Sequence, residues 1–496
     1  MSPVNRPLDA FRREVLKEEK GRLFSPAENR FLLGYPGGYR EAMSSLGFLS
    51  ILRLIDETPG WCAERAVLER DVPGPLRSLE TDRLVLDYSV IGLSVGYELQ
   101  LGEVVDFLQS CGLSPLAETR AEERKKSVRS HPLVVAGGPL TRINPRPLGA
   151  FVDICVVGDG EGALERLLGF LAENPSSGVD EVIVQVSGWD GFYVPAVHGD
   201  ETPAAVNAAT EDLPAWAPIR TEKAEFGEMF LVEACRGCSM NCRFCVIQRE
   251  LSKGARFVSA ENILELIPDG VKRVGLVGAA VGYHPELGKL LHALADRGLG
   301  VGLSSVRADR LDEEIAAGLA RVELKTLTVA ADGASQRIRN ELRKGVSESD
   351  LRNAAALAAE HGLKKLKVYQ LVGVPGETDR DWEEMGDLAS ELSGRIPVEL
   401  SFSCFVPKPG TPLALETPVA PARIRAGMKA LKRRLTGKAG IKEPALRWLE
   451  VEWRLSHGTI ETGRVLYESL KNGKDVSRLK RDLRESSERN TFYPSR

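Results

Sequence analysis

Long apolar runs are missing from this chain of 496 residues. No N-terminal apolar run precedes a cleavage site, and no stretch reaches the length that a membrane-spanning helix needs. An excess of one charge is missing as well, because 66 Lys and Arg against 70 Asp and Glu leave a net charge of −4. These absences disfavour a membrane protein and a general binder of polyanions, and they predict a cytoplasmic location.

Cysteine is scarce and unevenly placed. Half of the eight cysteines fall in one short segment, E-A-C-R-G-C-S-M-N-C-R-F-C, which no disulfide framework would explain. Within it, Cys238, Cys242 and Cys245 form a C-x3-C-x2-C pattern. Three thiolates on one loop suit three corners of a cubane iron–sulfur cluster. A zinc site would need a further Cys or His pair, whereas the next cysteine is Cys404. A structural metal knuckle or a chance spacing is the competing interpretation.

A first alternation of strands and helices runs over residues 30–174 and predicts a parallel, doubly wound, Rossmann-like sheet. The predicted strands cover residues 31–36, 66–68, 90–95, 133–136 and 154–157. Glycines follow four of them: Gly37, Gly38, Gly96, Gly137, Gly138, Gly158 and Gly160. Ligands of such sheets lie beyond the carboxyl ends of the strands, where glycine permits close approach, so a large flat ligand is expected. No G-x-G-x-x-G opens a helix, which disfavours a dinucleotide.

A second alternation predicts six βα units over residues 229–415. Their strands cover residues 229–233, 271–277, 301–306, 326–331, 367–374 and 398–406. The helix after Ser347 has an S-x-x-D capping pattern with Asp350 and is expected to stop at Gly362. Six such units suit an open partial TIM barrel with its chemistry at the carboxyl ends of the strands. The first of these ends carries the cysteine loop.

The cysteine loop, with Phe244 before its last cysteine, resembles the radical SAM superfamily. Further segments carry the resemblance: E-F-G at 225–227, S-V-R-A-D at 305–309, L-V-G-V-P-G-E-T at 371–378 and F-V-P-K-P-G-T-P at 405–412, with L-G-F at 46–48, E-R at 64–65 and G-G-P at 137–139. Together they cover roughly residues 30–415. They are similar to an uncharacterised radical SAM family with an N-terminal cobalamin-binding-type domain.

The resemblance implies a [4Fe–4S] cluster on Cys238, Cys242 and Cys245. Its open iron would bind S-adenosylmethionine (SAM), and an electron from the cluster would cleave SAM to methionine and a 5′-deoxyadenosyl radical. The resemblance also implies a reductant such as flavodoxin or ferredoxin. It supplies no substrate.

The same resemblance suggests SAM contacts at the strand ends. Gly278-Ala279-Ala280 stands where the superfamily often has G-G-E for the methionine amine, so this chain would use backbone groups. Arg307 suits the methionine carboxylate, with a salt bridge to Asp309 or Glu313 as the alternative. The remaining candidates are Asp332, Ser335 and Arg337 for the ribose and Gly373 for the adenine. Asp332 as a helix cap is the competing interpretation.

The first domain resembles the cobalamin-binding domain in front of many radical SAM domains, but it lacks D-x-H-x-x-G, whose histidine ligates cobalt in other cobalamin proteins. Two alternatives follow: cobalamin bound without a protein imidazole, or a relic domain that binds none. If cobalamin binds, methyl transfer to an unactivated carbon is expected. The only histidine between residues 30 and 171 is His131, just before the fourth predicted strand and therefore at the wrong end for a ligand.

Two rival functions and three flanking regions complete the expectations. A methylthiotransferase would place a second cluster's cysteines in the N-terminal domain, but Cys62, Cys111 and Cys155 are scattered and are interpreted as buried hydrophobes. A cluster- and cobalamin-binding sensor is the non-enzymatic rival.

The flanking regions are an N-terminal extension at 1–29, expected to be a solvated helix or to lie on the body, a connector at 175–228 and a helical region at 416–496. Its basic helix at 424–435 could contact RNA, although a solvated face is favoured. Cys235, outside the triad, is expected to be a strand-end residue, with a redox-active thiol or a thiol that supports the cluster ligands as the alternative.

Overall fold

The computed structural model describes residues 7–22, 24–69, 74–126, 131–247, 254–473 and 475–489. It divides into two compact units, one formed by Met1–Glu228 with Arg454–Arg496 and the other by Met229–Trp453. Parts of the predicted N-terminal extension and C-terminal region, residues 1–6 and 490–496, lie outside the described residues. Within the described ranges, no helix combines the length and the apolar character that crossing a bilayer requires.

The first unit is built around one sheet of six strands. The strands are β1 (Asn29–Tyr35), β2 (Trp61–Val67), β3 (Val90–Ser94), β4 (Leu133–Gly137), β5 (Ile154–Val156) and β6 (Phe192–Tyr193). The helices of this part are α1 (Pro7–Glu18), α2 (Tyr39–Ala42), α3 (Leu46–Glu57), α4 (Leu101–Ser110), α5 (Ala117–Lys126), α6 (Pro139–Ile143), α7 (Glu161–Glu173), α8 (Val179–Val186) and α9 (Pro195–His198).

The order of strands in this sheet is β2-β1-β3-β4-β5-β6, and only β6 is antiparallel to its neighbour. The chain goes from β1 to β2 on one side and to β3 on the other, so the direction of winding reverses between β1 and β3. Loops diverge at such a switch point and leave a crevice beyond the carboxyl ends of the strands. The predicted doubly wound sheet is confirmed.

Strand β2 begins at Trp61, earlier than predicted. The prediction missed its first residues because two charged residues interrupt the apolar sequence. Glu64 and Arg65 are nevertheless fully buried. The Arg65 guanidinium donates to Glu19 Oε1 at 2.6 Å and Oε2 at 2.8 Å, and to Glu80 Oε1 at 2.7 Å. Burial alone would raise the pKa of Glu19, but the charge of Arg65 outweighs it and the pKa is lowered. Glu19 follows α1, so these ion pairs hold the N-terminal extension against the sheet.

The second unit contains two parallel sheets and one short antiparallel pair of strands. The strands are β7 (Phe230–Glu233), β8 (Cys235–Arg236), β9 (Arg256–Phe257), β10 (Arg273–Val277), β11 (Gly300–Leu303), β12 (Thr326–Ala330), β13 (Lys365–Val372), β14 (Val398–Cys404) and β15 (Ala439–Lys442). The helices are α10 (Ala260–Glu265), α11 (Leu287–Asp296), α12 (Glu313–Arg321), α13 (Gln336–Glu341), α14 (Glu348–Glu360), α15 (Asp379–Ser393) and α16 (Pro421–Arg434). The last helices are α17 (Leu449–Ser456), which crosses the boundary between the units, and α18 (Ile460–Lys471) and α19 (Val476–Arg489), which belong to the first unit.

The two parallel sheets form the predicted partial barrel. One has the order β11-β10-β7 and the other the order β12-β13-β14-β15. They meet where the backbone N–H of Val306 donates to the carbonyl of Thr328 at 2.9 Å, which forms a parallel bridge between Val306 and Val329. The strand ends that carry the candidate site therefore lie along one edge. Strand β15 was not expected in the region after residue 416, because it is short and half of its residues are exposed.

Local sequence explains the boundaries of the barrel elements. Ser347 Oγ accepts from the N–H of Asp350 at 3.2 Å while Asp350 accepts from the N–H of Ser347 at 2.7 Å. This reciprocal cap starts α14 where the S-x-x-D pattern predicted. Strand β13 alternates between buried and half-buried residues along its length, as a strand covered mainly on one face should.

Candidate functional site

The cysteine loop follows β7 and rests on the segment after β12. The backbone N–H of Arg243 donates to the carbonyl of Leu342 at 3.0 Å, and its guanidinium donates to that of Glu341 at 3.2 Å. Phe244 packs against an apolar cluster that includes Ile338 and Leu342. The aromatic residue before the last cysteine is thus an anchor, which fixes the loop against α13 and the strand ends behind it.

The three predicted cluster ligands form no disulfide in the described part of the chain. Cys242 is buried, whereas Cys238 and Cys245 are half-buried. Among the described residues, no three Cys, His, Asp or Glu side chains are gathered tightly enough to surround a single metal ion. A cubane places each thiolate on a different iron, so its ligands need not converge on one point. The donor set of three thiols on one loop therefore fits a cluster better than a single ion.

Cys235 does not share the position of the other three cysteines. It is buried on β8, and its Sγ accepts from the N–H of Ala280 at 3.3 Å. Burial raises the pKa of its thiol to about 11, so it is not a ready thiolate. A side chain at Gly278 would meet the carbonyl and the Sγ of Cys235. The Gly278-Ala279-Ala280 segment therefore packs directly on β8, close to the start of the cysteine loop.

Tyr283 and His284 follow that segment, and they differ in their hydrogen bonding. His284 is buried; its Nε2 donates to the carbonyl of Val258 at 2.6 Å and its Nδ1 accepts from the N–H of Glu286 at 3.1 Å. Both ring nitrogens are thus used, as expected of a structural histidine. The Tyr283 hydroxyl, in contrast, is buried without a hydrogen-bond partner in the described part of the chain. Burial raises the pKa of this phenol, so it remains a donor at neutral pH.

Arg307 lies under the Tyr283 ring, with its guanidinium carbon 4.8 Å from the ring centroid. It forms the salt bridge that the sequence offered as an alternative, from Nε to Asp309 Oδ1 at 2.8 Å. Its Nη2 also donates to the carbonyl of Lys344 at 2.7 Å. Arg307 is therefore held by protein groups on three sides, while its use for a methionine carboxylate stays a prediction.

Asp332 follows β12 in a left-handed backbone conformation, with φ of 52°. Its Oδ2 accepts from the Lys344 ammonium at 2.5 Å. Lys344 is buried, and no sequence pattern singles it out, because a single lysine shortly after α13 resembles a solvated residue. Both charges act on Cys242, together with Arg307, while burial is the largest influence and raises the pKa of that thiol.

Ser335 and Arg337 come together on one carboxylate. Ser335 Oγ donates to Asp381 Oδ1 at 2.5 Å, and Arg337 Nη2 donates to Asp381 Oδ2 at 2.5 Å. Burial alone would raise the pKa of Asp381, but these donors and Thr378 lower it to about 2. Ser335 also caps α13 by accepting from the N–H of Ile338 at 3.3 Å. The predicted ribose contacts of Ser335 and Arg337 would have to compete with these bonds.

The G-V-P-G-E segment after β13 folds back on itself. The backbone N–H of Gly373 donates to Glu377 Oε2 at 3.0 Å, and Glu377 Oε1 is buried without a partner among the described residues. Burial raises the pKa of Glu377 to about 7, and the charge of Asp381 adds to this. The predicted adenine contact at Gly373 thus sits on a turn whose carboxyl is close to half protonated at neutral pH.

The predicted glycines of the first unit have unequal surroundings. Side chains at Gly138 and Gly158 would meet the backbone of Val95 and Val206, so contacts within the chain already account for these two. Val206 belongs to the connector, which pairs alongside the residues after β5. Side chains limit the space at Gly37, Gly96 and Gly160, where the nearest atoms belong to Tyr35, Gln100 and Ile51. At Gly137, apart from its two chain neighbours, no described residue lies within 4 Å of where a Cβ would stand.

The switch point between β1 and β3 carries an aromatic residue just after β3. Tyr97 follows β3 and is 50% exposed. His131 precedes β4 at its amino end, with Nε2 3.7 Å from Glu123 Oε2. His198, on α9, uses Nδ1 to accept from Val194 and Nε2 to reach the carbonyl of Ser187. The first unit also contains His457, and the Ser456 hydroxyl just before it donates to Glu98 Oε1 at 2.9 Å in the segment after β3.

A partial parallel barrel with three cysteines after its first strand, preceded by a doubly wound domain, defines a class of iron–sulfur enzymes built for radical chemistry. Two family models match the chain: "Radical SAM proteins, N-terminal" over residues 47–195 and "Radical SAM superfamily" over residues 232–389. The chain belongs to the radical SAM superfamily. A radical SAM domain implies a [4Fe–4S] cluster and SAM, and enzymes of this kind generally need an electron donor.

Similar proteins include both uncharacterised and named ones. An uncharacterized protein of Methanocaldococcus jannaschii is 32% identical over 292 residues, which cover 57% of this chain and 62% of that protein. A tRNA-2-methylthio-N(6)-dimethylallyladenosine synthase of Stenotrophomonas maltophilia is 26% identical over 288 residues, or 52% of this chain and 56% of that protein. The matched region thus spans less than two thirds of either relative.

Among solved structures, the cobalamin-dependent S-adenosylmethionine radical enzyme OxsB, with aqua-cobalamin and S-adenosylmethionine bound, aligns with a TM-score of 0.51 and 12% identity. The alignment covers 83% of this chain and 55% of OxsB. At this identity the similarity concerns the fold. The alignment includes residues of both units, and it confirms the predicted combination of folds.

Proposed function

We propose that this chain is a cobalamin-dependent radical SAM enzyme that transfers a methyl group to an unactivated carbon of its substrate. The observation that carries the proposal is the switch point between β1 and β3 in a sheet of the order β2-β1-β3-β4-β5, placed before a radical SAM domain in the same chain. The fold it shares with the cobalamin-dependent enzyme OxsB supports this combination.

Cys238, Cys242 and Cys245 would bind the cluster, and Phe244 would hold their loop in place through its apolar contacts. The bound cluster with SAM would supply the radical that removes a hydrogen atom from the substrate. The residues around it would bind SAM and keep it oriented toward the substrate, which is where most of the protein's contribution to such chemistry lies.

For SAM we propose contacts along the strand ends of the barrel. The backbone of Gly278-Ala279-Ala280 would bind the methionine amine and Asp332 the ribose, while Gly373 would lie near the adenine. The buried hydroxyl of Tyr283 adds a donor that sequence reasoning missed, because it has no partner among the described residues. A buried donor without a hydrogen bond destabilises the protein, so a ligand that accepts from it binds more tightly by removing that penalty.

Cobalamin would lie at the switch point of the first unit, with Gly137 and the exposed ring of Tyr97 as the residues most open to it. Gly37 and Gly96 would border the same crevice. When bound there, cobalamin would supply the methyl group. His131 and His198 are both remote from the carboxyl ends of β1 and β3. His457 follows Ser456, which donates to Glu98 just after β3, so the expectation that the cobalt has no protein imidazole applies to His457 in particular.

Electron paramagnetic resonance of the Co(II) protein tests this proposal. The full chain would be reconstituted anaerobically with iron, sulfide and cobalamin, and its bound corrinoid measured. We expect a base-off spectrum without nitrogen superhyperfine splitting. Splitting from an axial imidazole or benzimidazole would contradict the absence of a nitrogen ligand. Failure to bind any corrinoid at saturating cobalamin would reduce the proposal to a radical SAM enzyme with a relic first domain.

The methylthiotransferase alternative needs a second cluster in the first unit. Cys62 lies on β2, Cys155 on β5 and Cys111 just after α4. Three strands separate β2 from β5, so Cys62 and Cys155 are on the order of 19 Å apart across the sheet. These cysteines cannot share one cubane. About four irons per chain would agree with the proposal, and about eight would favour the alternative.

A further inference from the structure

Lys344 is a buried cation whose only described carboxylate partner is Asp332. Its side chain is 9% exposed, and its Nζ lies 2.5 Å from Asp332 Oδ2. Burying an ammonium and a carboxylate costs each ion several kcal/mol of hydration, and one ion pair rarely repays more than that. Fold stability is therefore a weak reason for this pair.

The pair is fixed to the cysteine loop through short backbone links. Leu342, two residues before Lys344, accepts from the N–H of Arg243, which is the residue after Cys242. The N–H of Lys344 donates to the carbonyl of Arg339 at 2.9 Å, and the carbonyl of Lys344 accepts from Arg307. Because both ends of the segment are held, the backbone of Lys344 stays beside the loop, and its ammonium is held there by the bond to Asp332.

The geometry places one positive and one negative charge beside the proposed cluster ligands. A one-electron reduction makes an iron–sulfur cluster more negative, so a nearby cation favours the reduced form and a nearby anion disfavours it. Net charge and the surroundings of the cluster are among the main influences on its potential. The field of each member of the pair therefore has a predictable sign.

We propose that Lys344 is a positioning residue for electron transfer: its ammonium makes the cluster easier to reduce, and Asp332 opposes it. The inference rests on the proposed binding of the cluster by Cys238, Cys242 and Cys245. It goes beyond that assignment because it gives Lys344 and Asp332 opposite effects on one measurable quantity, before SAM or substrate has bound.

The test is a redox titration of the anaerobically reconstituted full chain without SAM. The titration is monitored through the paramagnetic signal of the reduced cluster. Lys344→Met should make the cluster about tenfold harder to reduce at a fixed potential, which is a shift of about 59 mV to the negative side. Asp332→Asn should shift the potential to the positive side. Lys344→Arg should keep the wild-type potential, because it retains the positive charge. Arg343→Met is the matched control, since Arg343 is the neighbouring cation but is exposed, and it should change nothing.

The sign of the two shifts decides the proposal. If the pair were only a structural bond, breaking it from either side would act in the same direction, so shifts of equal sign in Lys344→Met and Asp332→Asn would overturn it. An unshifted potential in Lys344→Met would overturn it as well. If Lys344→Met does not assemble a cluster, Lys344→Gln replaces it with the same expected sign. A wild-type chain without iron or signal would instead show that the cysteine assignment has failed.

Discussion

Replacing Tyr283 with Phe should have opposite effects on folding and on SAM binding. The hydroxyl is buried and lacks a partner among the described residues of the cofactor-free chain. Phe keeps the ring over the Arg307 guanidinium, whose carbon is 4.8 Å from the ring centroid. The substitution therefore removes one polar atom and little else.

The magnitudes follow from the state of that atom. A buried, unbonded hydroxyl costs about 1 to 3 kcal/mol, so its removal should stabilise the SAM-free protein by an amount of that order. For a unit of this size, each kcal/mol corresponds to about 2 to 4 °C in Tm. If SAM accepts a hydrogen bond from Tyr283, binding relieves this cost, so the substitution should weaken SAM binding by about the same 1 to 3 kcal/mol, which is roughly a five- to 160-fold rise in Kd.

Two measurements on the same reconstituted protein check this prediction. Differential scanning calorimetry without SAM should give a higher Tm for Tyr283→Phe, and titration calorimetry should give weaker SAM binding with unchanged iron content. Tyr467→Phe, which removes a hydroxyl from α18 in the first unit, is the control and should leave the Kd unchanged. An unaltered SAM affinity in Tyr283→Phe would refute the proposed contact, and a lower Tm would show that the hydroxyl has a partner in the folded chain.

Three further predictions concern the cluster, the first unit and the turn after β13. Alanine at any of the three predicted cluster cysteines should abolish iron binding, whereas Cys235→Ala should retain about four irons per chain by colorimetric assay; a triad variant with full iron would contradict the assignment. Arg65→Met should lower the free energy of unfolding by about 3 to 5 kcal/mol in urea titrations, because it leaves buried carboxylates unpaired; a change below about 1 kcal/mol would mean that the ion pairs are dispensable. The raised pKa of Glu377, about 7 against its ordinary 4.5, means that the folded chain holds this proton more tightly and loses stability as pH rises from about 4.5 to 7. The free energy of unfolding of Glu377→Gln should therefore exceed that of wild type by about 1 to 3 kcal/mol at pH 8 but not at pH 5, and Tm should rise at pH 8 only. An equal difference at both pH values would exclude titration of Glu377.

The sequence by itself determined most elements of both units, although not β15 or the start of β2, and it indicated the nature of the cofactor loop. Apolar runs of strand length alternate with amphipathic helices, and this local period fixes a parallel sheet because helices must cover both of its faces. The cap at Ser347 and the spacing of Cys238, Cys242 and Cys245 are local in the same sense. Each depends on residues a few positions apart, so a single sequence is enough to reveal it.

Only the tertiary structure decided which charges are buried and which polar atoms are left without partners. Arg65 lies on a strand that its charge seemed to interrupt, because Glu19 and Glu80 reach it from distant parts of the chain. The pairing of Lys344 with Asp332 and the unpartnered hydroxyl of Tyr283 likewise depend on where separate strand ends meet. A charged or polar residue can be satisfied by any partner that the fold brings near, and sequence spacing carries no information about such partners.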